Sequence, residues 1–371
     1  MFIVSFIAIY ILGLSALVLL ASFKLYSRKK RFAFKQHDYS GELPTVSVCI
    51  PARNERHAMT QCLESVLASD YEKLEVIVLD DSSVDDTSEL IKAFAHSGVR
   101  FVEGSRLPAG WLGKNHALQG LLLEASGDFI IFMDVDSIIT PHSISELMKY
   151  TLAEKATMVS VIPQRLDRWR TSVLLGSLRY LWLLLMDSPM QPAASTALWC
   201  VDRKQLLEVD GFTGAKDVIQ PEIDIARELL LRGKFRTIIS NSLLGVSFEK
   251  KWSSQIETSV RLLAPVTGTG LRSSAWLSTL FLLLLSLAAV PLGLIFHQNL
   301  LLVTGLVYGV SMVLLFSLYF SILWGRLWWL GSFLLWPFVL TQETILLGMS
   351  MLQYVRGRVT WKGRVIEKHS S

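Results

Sequence analysis

The chain of 371 residues is long enough for more than one domain, and 51% of its residues are hydrophobic, more than in most soluble enzymes. Its three cysteines, Cys49, Cys62 and Cys200, have neither the even number nor the close spacing of a disulfide framework or a zinc site, so reduced thiols are expected. The net charge of +4 comes mostly from basic clusters beside apolar segments, and it calls for no nucleic-acid partner.

The N-terminal residues 2–22 (FIVSFIAIYILGLSALVLLAS) are uncharged and mostly apolar over about twenty positions, the length that an α-helix needs to cross a bilayer. They have neither a basic n-region nor a small-residue cleavage site, so we expect a retained anchor over residues 1–23. The predicted juxtamembrane linker, 24–44, is basic and has no acidic residue before Asp38. Its basic residues are Lys24, Arg28, Lys29, Lys30, Arg31 and Lys35. The positive-inside rule places this linker and the polar domain after it on the cytoplasmic side of the cell membrane.

Short apolar runs alternate with helical periods between about residues 45 and 160. The runs predicted as strands are VSVCI (46–50), LEVIVL (74–79), VRFVEG (99–104), DFIIFM (128–133) and TMVSVI (157–162). Several are apolar throughout, as in strands that are covered on both faces of a parallel sheet. Strands that alternate with helices predict βαβ units and a doubly wound α/β domain with a mostly parallel sheet.

Two helix faces lie between these strands. They are marked by Cys62, Leu63, Val66 and Leu67, and by Leu90, Ile91 and Phe94. Asp86, followed three residues later by Glu89, is typical of a capping box that opens the second helix.

Three of the predicted strands end in polar clusters, PARNE, DDSSVDD and DVDS. In a doubly wound sheet, ligands bind outside the carboxyl ends of the strands, so all three clusters are expected along one edge. No strand is followed by G-x-G-x-x-G, and Gly113 and Lys114 lack the rest of a P-loop. H-E-x-x-H and G-x-S-x-G are also absent from the sequence, so the common zinc-protease and serine-hydrolase patterns are not indicated.

The last cluster contains two carboxylates, Asp134 and Asp136, with one valine between them. Alternate residues of a strand point to the same side, so the two carboxylates can converge and would repel each other without a cation. An oxygen-only pair suits Mg²⁺ or Mn²⁺, which completes its coordination with water and phosphate oxygens. Taken alone, D-x-D is more often a pair of turn or capping aspartates.

The order of these clusters resembles a known family. VSVCIPARNE, LEVIVLDDSSVDDT and GWLGKNHALQGLLLEASGDFIIFMDVDS are similar to the successive signatures of the family-2 inverting glycosyltransferases of GT-A fold, over roughly residues 45–250. The elements G-W-x-G-K (110–114) and W-K-G-R (361–364) resemble those of membrane-bound members that glycosylate lipids in hopanoid and carotenoid pathways. The resemblance implies a GT-A catalytic domain over residues 45–270.

The resemblance also implies roles for individual residues. Contacts to the nucleotide base or ribose would come from Pro51, Ala52, Arg53, Glu55, Asp80 and Asp81. Lys114 would lie near the diphosphate, Asp134 would hold ribose or metal, and Asp136 would hold the metal itself. Without the resemblance, residues 80–86 are more typical of a solvated loop with helix caps, and Lys114 of a surface lysine.

The position of the catalytic base is less regular. The family places an acidic pair before an apolar helix, and its aspartate deprotonates the acceptor hydroxyl. The matching stretch here is QPEIDIARELL, 220–230, in which Glu222 takes the aspartate position and Pro221 replaces the preceding acid. Glu222 is one candidate base and Asp224 is the other. The alternative is an acidic first turn that complements the helix dipole.

The C-terminal residues 271–355 contain two apolar segments, 275–296 and 300–323, each long enough to span a bilayer. A third segment, 328–355, contains Pro337 and, near its middle, Gln342 and Glu343, and an ionisable group is costly there. The basic tail, 356–371, is expected in the cytoplasm. That location favours two spans followed by a re-entrant or interfacial segment, while three spans stay open.

One more apolar stretch, 171–186, is interrupted by Arg179. It is either an interfacial helix that admits a lipid acceptor or a buried core helix.

Together these features predict a multi-pass membrane enzyme that transfers a single sugar from a nucleotide sugar, expected to be a UDP-sugar, to a hydroxyl or carboxyl of a lipid. A processive polysaccharide synthase is the alternative enzyme, but KWSSQIETSVR (251–261) does not match the Q-x-x-R-W motif of that class. A non-catalytic membrane scaffold is the other alternative, and Pro221 and Glu222 are its only support.

Overall fold

The computed structural model describes residues 2–166, 178–250, 252–268, 270–325, 329–361 and 364–365. The chain divides into two compact units by packing. One, the sheet unit, comprises Phe32–Leu166 and Met186–Glu249. The other, the helical unit, comprises Met1–Arg31, Asp167–Leu185 and Lys250–Ser371.

The described residues form twelve strands and thirteen α-helices. The strands are β1 (Val46–Ala52), β2 (Leu74–Asp80), β3 (Val99–Glu103), β4 (Phe129–Met133), β5 (Ser137–Ile138), β6 (Met158–Ile162), β7 (Gln164–Arg165), β8 (Leu198–Asp202), β9 (Phe235–Ile239), β10 (Ser247–Phe248), β11 (Thr360–Trp361) and β12 (Arg364–Val365). The helices are α1 (Phe2–Phe32), α2 (Met59–Leu67), α3 (Thr87–Ala93), α4 (Gly113–Glu124), α5 (Ser143–Ala153), α6 (Arg179–Met186), α7 (Arg203–Glu208), α8 (Pro221–Arg232), α9 (Trp252–Thr267), α10 (Leu271–Leu285), α11 (Ala289–Ile295), α12 (Asn299–Leu323) and α13 (Trp329–Val355).

The main sheet of the sheet unit has seven strands within the described residues, in the order β3-β2-β1-β4-β8-β6-β9. β1 pairs in parallel with β2 and β4, β2 with β3, and β6 with β9. The five strands predicted from the sequence are β1, β2, β3, β4 and β6, and the mostly parallel α/β sheet is confirmed. Their apolar runs form because both faces of the sheet are covered, and the side chains of β6 are buried along its whole length.

The strand β8 was not predicted, and it changes how the sheet edge is built. It lies between β4 and β6 and runs antiparallel to both. Because it is antiparallel, the residues that precede β8 lie beside the carboxyl end of β4. The Asp134 N–H accordingly donates to the Ala197 carbonyl at 3.0 Å. A second, small sheet, β5-β10-β7, continues from the turn that follows β4.

The predicted helix faces agree with α2 and α3, since Cys62, Leu63 and Val66 are buried in α2 and Ile91 is buried in α3. The predicted capping box is wrong. Asp86 occupies the N-cap position, but its side chain makes no capping hydrogen bond. The neighbouring Asp85 accepts instead, from the Thr87 N–H at 3.1 Å and the Thr87 hydroxyl at 2.5 Å.

The helical unit begins with α1, which continues without a break for 31 residues. A helix of that length is about 46 Å long, whereas the hydrocarbon core of a bilayer is about 30 Å thick. The first part of the predicted linker, which carries Lys24 to Arg31, is therefore a helical extension of the anchor rather than irregular chain.

The described residues contain four helices long and apolar enough to cross a membrane: Phe2–Phe32, Leu271–Ile295, Asn299–Leu323 and Leu334–Val355. The second and third correspond to the two C-terminal spans predicted from the sequence. They pack closely where glycine replaces a side chain, because a Cβ on Gly305 would lie 2.9 Å from the Ala289 Cβ.

The last of these helices, α13, passes through Pro337 without interruption. Its ionisable residue, Glu343, is fully buried. Each of its carboxylate oxygens accepts a hydrogen bond from α6 or the residue before it: the Trp182 indole N–H at 2.9 Å and the Leu178 N–H at 3.4 Å. These donors explain how the carboxyl group is accommodated in an apolar helix. The number of membrane crossings stays a prediction.

The segment 171–186 is described from Leu178 onwards, and its residues 171–177 lie outside the described residues. The described part is the helix α6, and four of its side chains, Tyr180, Leu181, Trp182 and Leu184, are buried. For α6 the structure favours the buried-helix alternative. Residues 252–267, assigned to the catalytic domain from the sequence, form α9 and pack against α13, with the Tyr354 hydroxyl donating to the Arg261 carbonyl at 2.8 Å.

Candidate functional site

The carboxyl ends of β1, β2 and β4 meet along one edge of the main sheet, as the sequence predicted. Ala52 is paired with Asp80 in the register of β1 and β2, and the Asp81 N–H donates to the Ala52 carbonyl at 2.8 Å. The loops after these strands are joined as well, because the Asn54 N–H donates to the Ser83 hydroxyl at 2.9 Å.

The buried thiol of Cys62 in α2 is influenced by carboxylates from two of the three clusters. Burial raises the pKa of Cys62, and the negative charges of Asp136, Glu55 and Asp134 raise it further, in that order of effect. The residues Glu55, Asp134 and Asp136 thus lie close enough to influence the same atom. The structure brings the first and third predicted clusters together.

The first cluster, PARNE, mainly organises the neighbouring loop. Ala52 is buried, so its side chain has no open face for a ligand. The Arg53 guanidinium donates to the Ser82 carbonyl at 3.1 Å and to the Asp81 carbonyl, and it lies 3.9 Å from the Asp81 carboxylate. The Glu55 N–H donates to the Thr87 hydroxyl at 2.8 Å. Pro51 is half-buried at the end of β1.

Asp80 at the end of β2 is only 4% exposed, and its carboxylate is used within its own loop. One oxygen accepts from the Ser83 hydroxyl and, at 3.2 Å, from the Ser83 N–H, and the other accepts from the Ser88 hydroxyl. Asp81 is buried as well. In this structure the two aspartates stabilise the loop. A nucleotide could contact the Asp80 carboxylate directly only by replacing the hydrogen bonds that Ser83 and Ser88 donate to it.

At the third cluster, Asp134 forms a hydrogen-bond network with two side chains from elsewhere in the chain, Lys114 and Thr196. The Lys114 ammonium lies 2.5 Å from Oδ1 of Asp134, and the Thr196 hydroxyl donates to Oδ2 of Asp134 at 3.0 Å. Asp134 and Asp136 follow β4 in a turn rather than a strand, and the Ser137 N–H donates to the Asp134 carbonyl at 2.9 Å. The alternation expected from a strand nevertheless holds, because Val135 and Ser137 are buried while both aspartates are half-buried.

The carboxylate oxygens of Asp134 and Asp136 suit a hard divalent cation to which the protein supplies only one or two ligands. The described residues contain no group of three or more His, Cys, Asp or Glu side chains that could hold a metal ion. Magnesium-type ions commonly use one or two carboxylates and complete their shell with water and substrate phosphates. Both oxygens of Asp134 accept hydrogen bonds, one from Lys114 and one from Thr196, so Oδ1 of Asp134 could bind a metal ion only if Lys114 moves.

Lys114 occupies an unusual place, because it lies in the first turn of α4. A cation at the N-terminus of a helix is disfavoured by the helix dipole, and the contact with Asp134 offsets that cost. The next residue, Asn115, is buried and binds the loop that precedes α8. Its amide donates to the carbonyls of Ala215 at 2.7 Å, Lys216 at 3.2 Å and Val218 at 2.7 Å.

The two candidate bases differ in their surroundings. Glu222 lies in the first turn of α8, directly after Pro221, and is 2% exposed. Asp224 is more exposed, and its carboxylate lies 2.6 Å from the Arg227 guanidinium, which also donates to the Met190 carbonyl at 2.8 Å. Both acids are in the first turn of α8, where the helix dipole favours negative charge.

Sequence reasoning missed four residues that complete this edge: Ser83, Ser88, Asn115 and Thr196. Ser83 and Ser88 lay within or next to the quoted DDSSVDDT signature, so their role as donors to Asp80 had a local signal. Thr196 had none, because only the antiparallel placement of β8 brings it to Asp134.

The chain is similar in sequence and in fold to known glycosyltransferases. Residues 47–184 match the family model described as Glycosyl transferase family 2. A probable glycosyltransferase YdaM of Bacillus subtilis (strain 168) is 31% identical over 150 residues, which are 39% of this chain and 35% of that protein. The 4,4'-diaponeurosporenoate glycosyltransferase of Staphylococcus haemolyticus (strain JCSC1435) is 27% identical over 151 residues, which are 40% of each protein.

A solved structure, the mannosyltransferase PcManGT from Pyrobaculum calidifontis in complex with GDP-Man and Mn²⁺, superposes with a TM-score of 0.56 at 18% identity. The match covers 94% of this chain and 99% of that one. The likeness establishes the fold, and the sheet unit has the GT-A fold that the sequence predicted. The chain spans only about two fifths of the length of the curated relatives named above, with 35% and 40% covered.

Proposed function

We propose that this chain is a membrane-bound inverting glycosyltransferase that transfers a single sugar from a nucleotide sugar to a lipid. The observation that carries the proposal is the hydrogen-bond network of Lys114, Asp134 and Thr196 at the carboxyl edge of a GT-A sheet. The Asp80 loop follows another strand at the same edge. A lysine, a hydroxyl and carboxylates at that edge are the groups that a nucleoside diphosphate and its ribose require.

Lys114 is the residue that would bind the diphosphate. Its ammonium lies at the N-terminus of α4, so the lysine charge and the helix dipole would both favour an anion there. Asp134, released from part of this contact, would accept a hydrogen bond from a ribose hydroxyl. Arg53, Glu55, Asp80 and Asp81 would shape the pocket for the base.

A divalent cation, Mg²⁺ or Mn²⁺, would be held by Asp136 with or without Asp134. When bound, it would act as a Lewis acid that neutralises charge on the departing diphosphate. The proposal is supported by the all-oxygen donor set of the turn after β4, and the similar mannosyltransferase structure contains Mn²⁺.

Glu222 would be the general base that takes the proton of the acceptor hydroxyl. Glu222 is preferred because it takes the position of the family's aspartate in the resemblance, and Asp224, whose carboxylate contacts Arg227, is the alternative. A carboxylate in the first turn of α8 is the type of group that can take a proton from an acceptor hydroxyl.

The lipid acceptor and the membrane location are supported by the helical unit. Four helices of spanning length and the basic end of α1 suit a protein of the cell membrane whose sheet unit faces the cytoplasm. One similar protein is named a 4,4'-diaponeurosporenoate glycosyltransferase. The donor is proposed to be a UDP-sugar.

The proposal is tested with the purified full-length chain in detergent. UDP-glucose, UDP-N-acetylglucosamine and GDP-mannose, each radiolabelled in the sugar, are offered with Mn²⁺ and a total bacterial lipid extract. We expect one donor to place label in the lipid phase as a single-sugar product. The Asp136→Ala variant should lose at least 100-fold in rate, while Asp38→Ala, which changes an exposed acid outside the site, should keep it.

Equal transfer by Asp136→Ala and the unaltered protein would contradict the assignment of the metal site. Products with several added sugars would instead identify a processive enzyme. No release of UDP or GDP with any donor would support a non-catalytic scaffold.

A further inference from the structure

The helix α4 connects two parts of the proposed site through neighbouring residues. Lys114 reaches the carboxylate of Asp134, and Asn115, one residue on, is 1% exposed and turns to the loop before α8. A buried amide that makes no hydrogen bonds is costly, and the donors of Asn115 are met by three backbone carbonyls.

These three carbonyls belong to the residues that lead directly into α8. The loop is tied further to α4 because the Leu112 N–H donates to the Lys216 carbonyl at 2.8 Å. Within the loop, the Val218 N–H donates to the Ala215 carbonyl at 3.1 Å. The side chain of Asn115 thus holds the loop at both ends of this turn.

The chain from Val218 to Glu222 is short. Four residues of extended chain span at most about 14 Å. The segment is also constrained, since Pro221 fixes the backbone of the first residue of α8 and the Ile223 N–H donates to the carbonyl of Gln220, the residue before the helix, at 3.1 Å. Where Asn115 places Val218 therefore decides where α8 begins and where Glu222 lies.

We infer that Asn115 is a positioning residue, which sets Glu222 at a fixed distance from a donor held by Lys114 and Asp134. The inference rests on the proposed function, in which Glu222 is the base and Lys114 binds the diphosphate. Asn115 would contact neither the sugar donor nor the acceptor. Its role would be to keep the base at a fixed distance from the donor.

The residue type suits the task. The amide of asparagine has donors only on its nitrogen, and here that nitrogen faces three acceptors. An aspartate of the same shape would turn a carboxylate oxygen towards the same carbonyls and repel them. Alanine would remove the donors to all three carbonyls, although the Ala215 and Lys216 carbonyls would keep the Val218 and Leu112 N–H groups as donors. Misplacement of a catalytic group by about 1 Å can cost on the order of 100-fold in rate.

The matched control is Gln119, which lies one helical turn further along the same face of α4. Its side-chain oxygen accepts from the Phe212 N–H at 2.8 Å, so it holds the same loop at a point ten residues before Glu222. Gln119→Ala removes a bond between α4 and this loop but leaves the three carbonyls beside α8 in place. It controls for a general loss of stability.

The test compares Asn115→Ala, Asn115→Asp and Gln119→Ala as full-length proteins. With the donor that the unaltered protein accepts, both Asn115 variants should lose about 10- to 100-fold in kcat, and their KM for that donor should change less than threefold. Their affinity for UDP with Mn²⁺ should stay within twofold. Gln119→Ala should keep kcat within threefold.

A second readout does not depend on catalysis. Hydrogen–deuterium exchange of residues 215–225 should rise in the Asn115 variants and not in Gln119→Ala, because the start of α8 is released. Unchanged exchange in Asn115→Ala would overturn the inference whether or not the protein transfers sugar. Raised exchange together with an unaltered kcat would also overturn it. Absence of transfer by the unaltered protein would count against the proposed function alone.

Discussion

At the scale of single residues, the site depends on one ion pair between elements that are distant in the sequence. Lys114 and Asp134 are twenty residues apart and meet at 2.5 Å, with both side chains partly shielded from solvent. Partial burial makes such a pair stronger than one on an open surface. A bound diphosphate would compete with Asp134 for the same ammonium group, so donor binding should depend strongly on Lys114.

Lys114→Ala is expected to weaken the binding of UDP with Mn²⁺ by about 10- to 100-fold, as for the loss of a charge-assisted hydrogen bond. The remaining negative charge of Asp134 would add repulsion. Isothermal titration calorimetry on the purified protein measures the change. Lys204→Ala, which removes an exposed lysine of α7, is the control and should bind as the unaltered protein does. Equal affinities for both variants would mean that Lys114 does not contact the diphosphate.

The choice between Glu222 and Asp224 can be made by two isosteric substitutions. Glu222→Gln should lower kcat by about 100-fold or more, the size of a general-base contribution, and leave UDP binding intact. Asp224→Asn should cost less than fivefold because its carboxylate contacts Arg227 rather than the proposed acceptor. Initial rates of sugar transfer measure both. The reverse order of effects would assign the base to Asp224.

At the scale of secondary-structure elements, local apolar patterns predict where strands lie, whereas pairing between strands decides their order and direction. β1, β2, β3, β4 and β6 were predicted because buried strands leave continuous apolar runs. The antiparallel direction of β8 could not be read from its own five residues, since direction and neighbours are chosen by pairing with β4 and β6. The predicted capping box failed for a local reason, because Asp85, one position earlier than Asp86, accepts from the Thr87 N–H at the start of α3.

The contact of α6 with α13 is a second case in which an element is held by an unexpected partner. Glu343 accepts from the Trp182 indole N–H and the Leu178 N–H, and the Trp182 ring lies 5.1 Å from the Trp276 ring. An ionisable residue is costly in an apolar helix, but Glu343 serves there as the hydrogen-bond acceptor that holds α6.

Glu343→Ala should lower the free energy of unfolding of the helical unit by about 1–3 kcal/mol, because two buried donors lose their acceptor. Glu343→Gln keeps one acceptor oxygen and should recover most of that loss. Thermal unfolding in detergent, followed by tryptophan fluorescence, compares the variants. If alanine and glutamine destabilise the protein equally, the hydrogen bonds to α6 are not what Glu343 contributes.

At the scale of the whole molecule, the charges that flank the apolar helices predict which segments face the cytoplasm. The end of α1 is basic, and the tail after α13 contains five basic residues and one acidic residue between 356 and 371. Both segments are predicted to be cytoplasmic. α13 is nevertheless long enough to span. A third crossing would put the tail on the opposite side from the sheet unit.

Cysteine labelling decides between these arrangements. The three native cysteines are fully buried and should not react, so single reporters Asp38→Cys and Ser370→Cys can be introduced directly. An impermeant maleimide should label both in inverted membrane vesicles and neither in intact spheroplasts of a bacterial host. The unaltered protein is the background control. Labelling of the two reporters from opposite sides would establish that α13 crosses the membrane.

The mostly parallel α/β sheet, the polar clusters at one edge and the apolar helices can be predicted from the sequence, because each leaves a local pattern of burial or charge. The serines that donate to Asp80 are also close to it in the sequence. The contacts of Thr196 with Asp134 and of Asn115 with the loop before α8 could not be predicted, because strand order and loop packing bring these distant residues together and leave no trace in the neighbouring sequence.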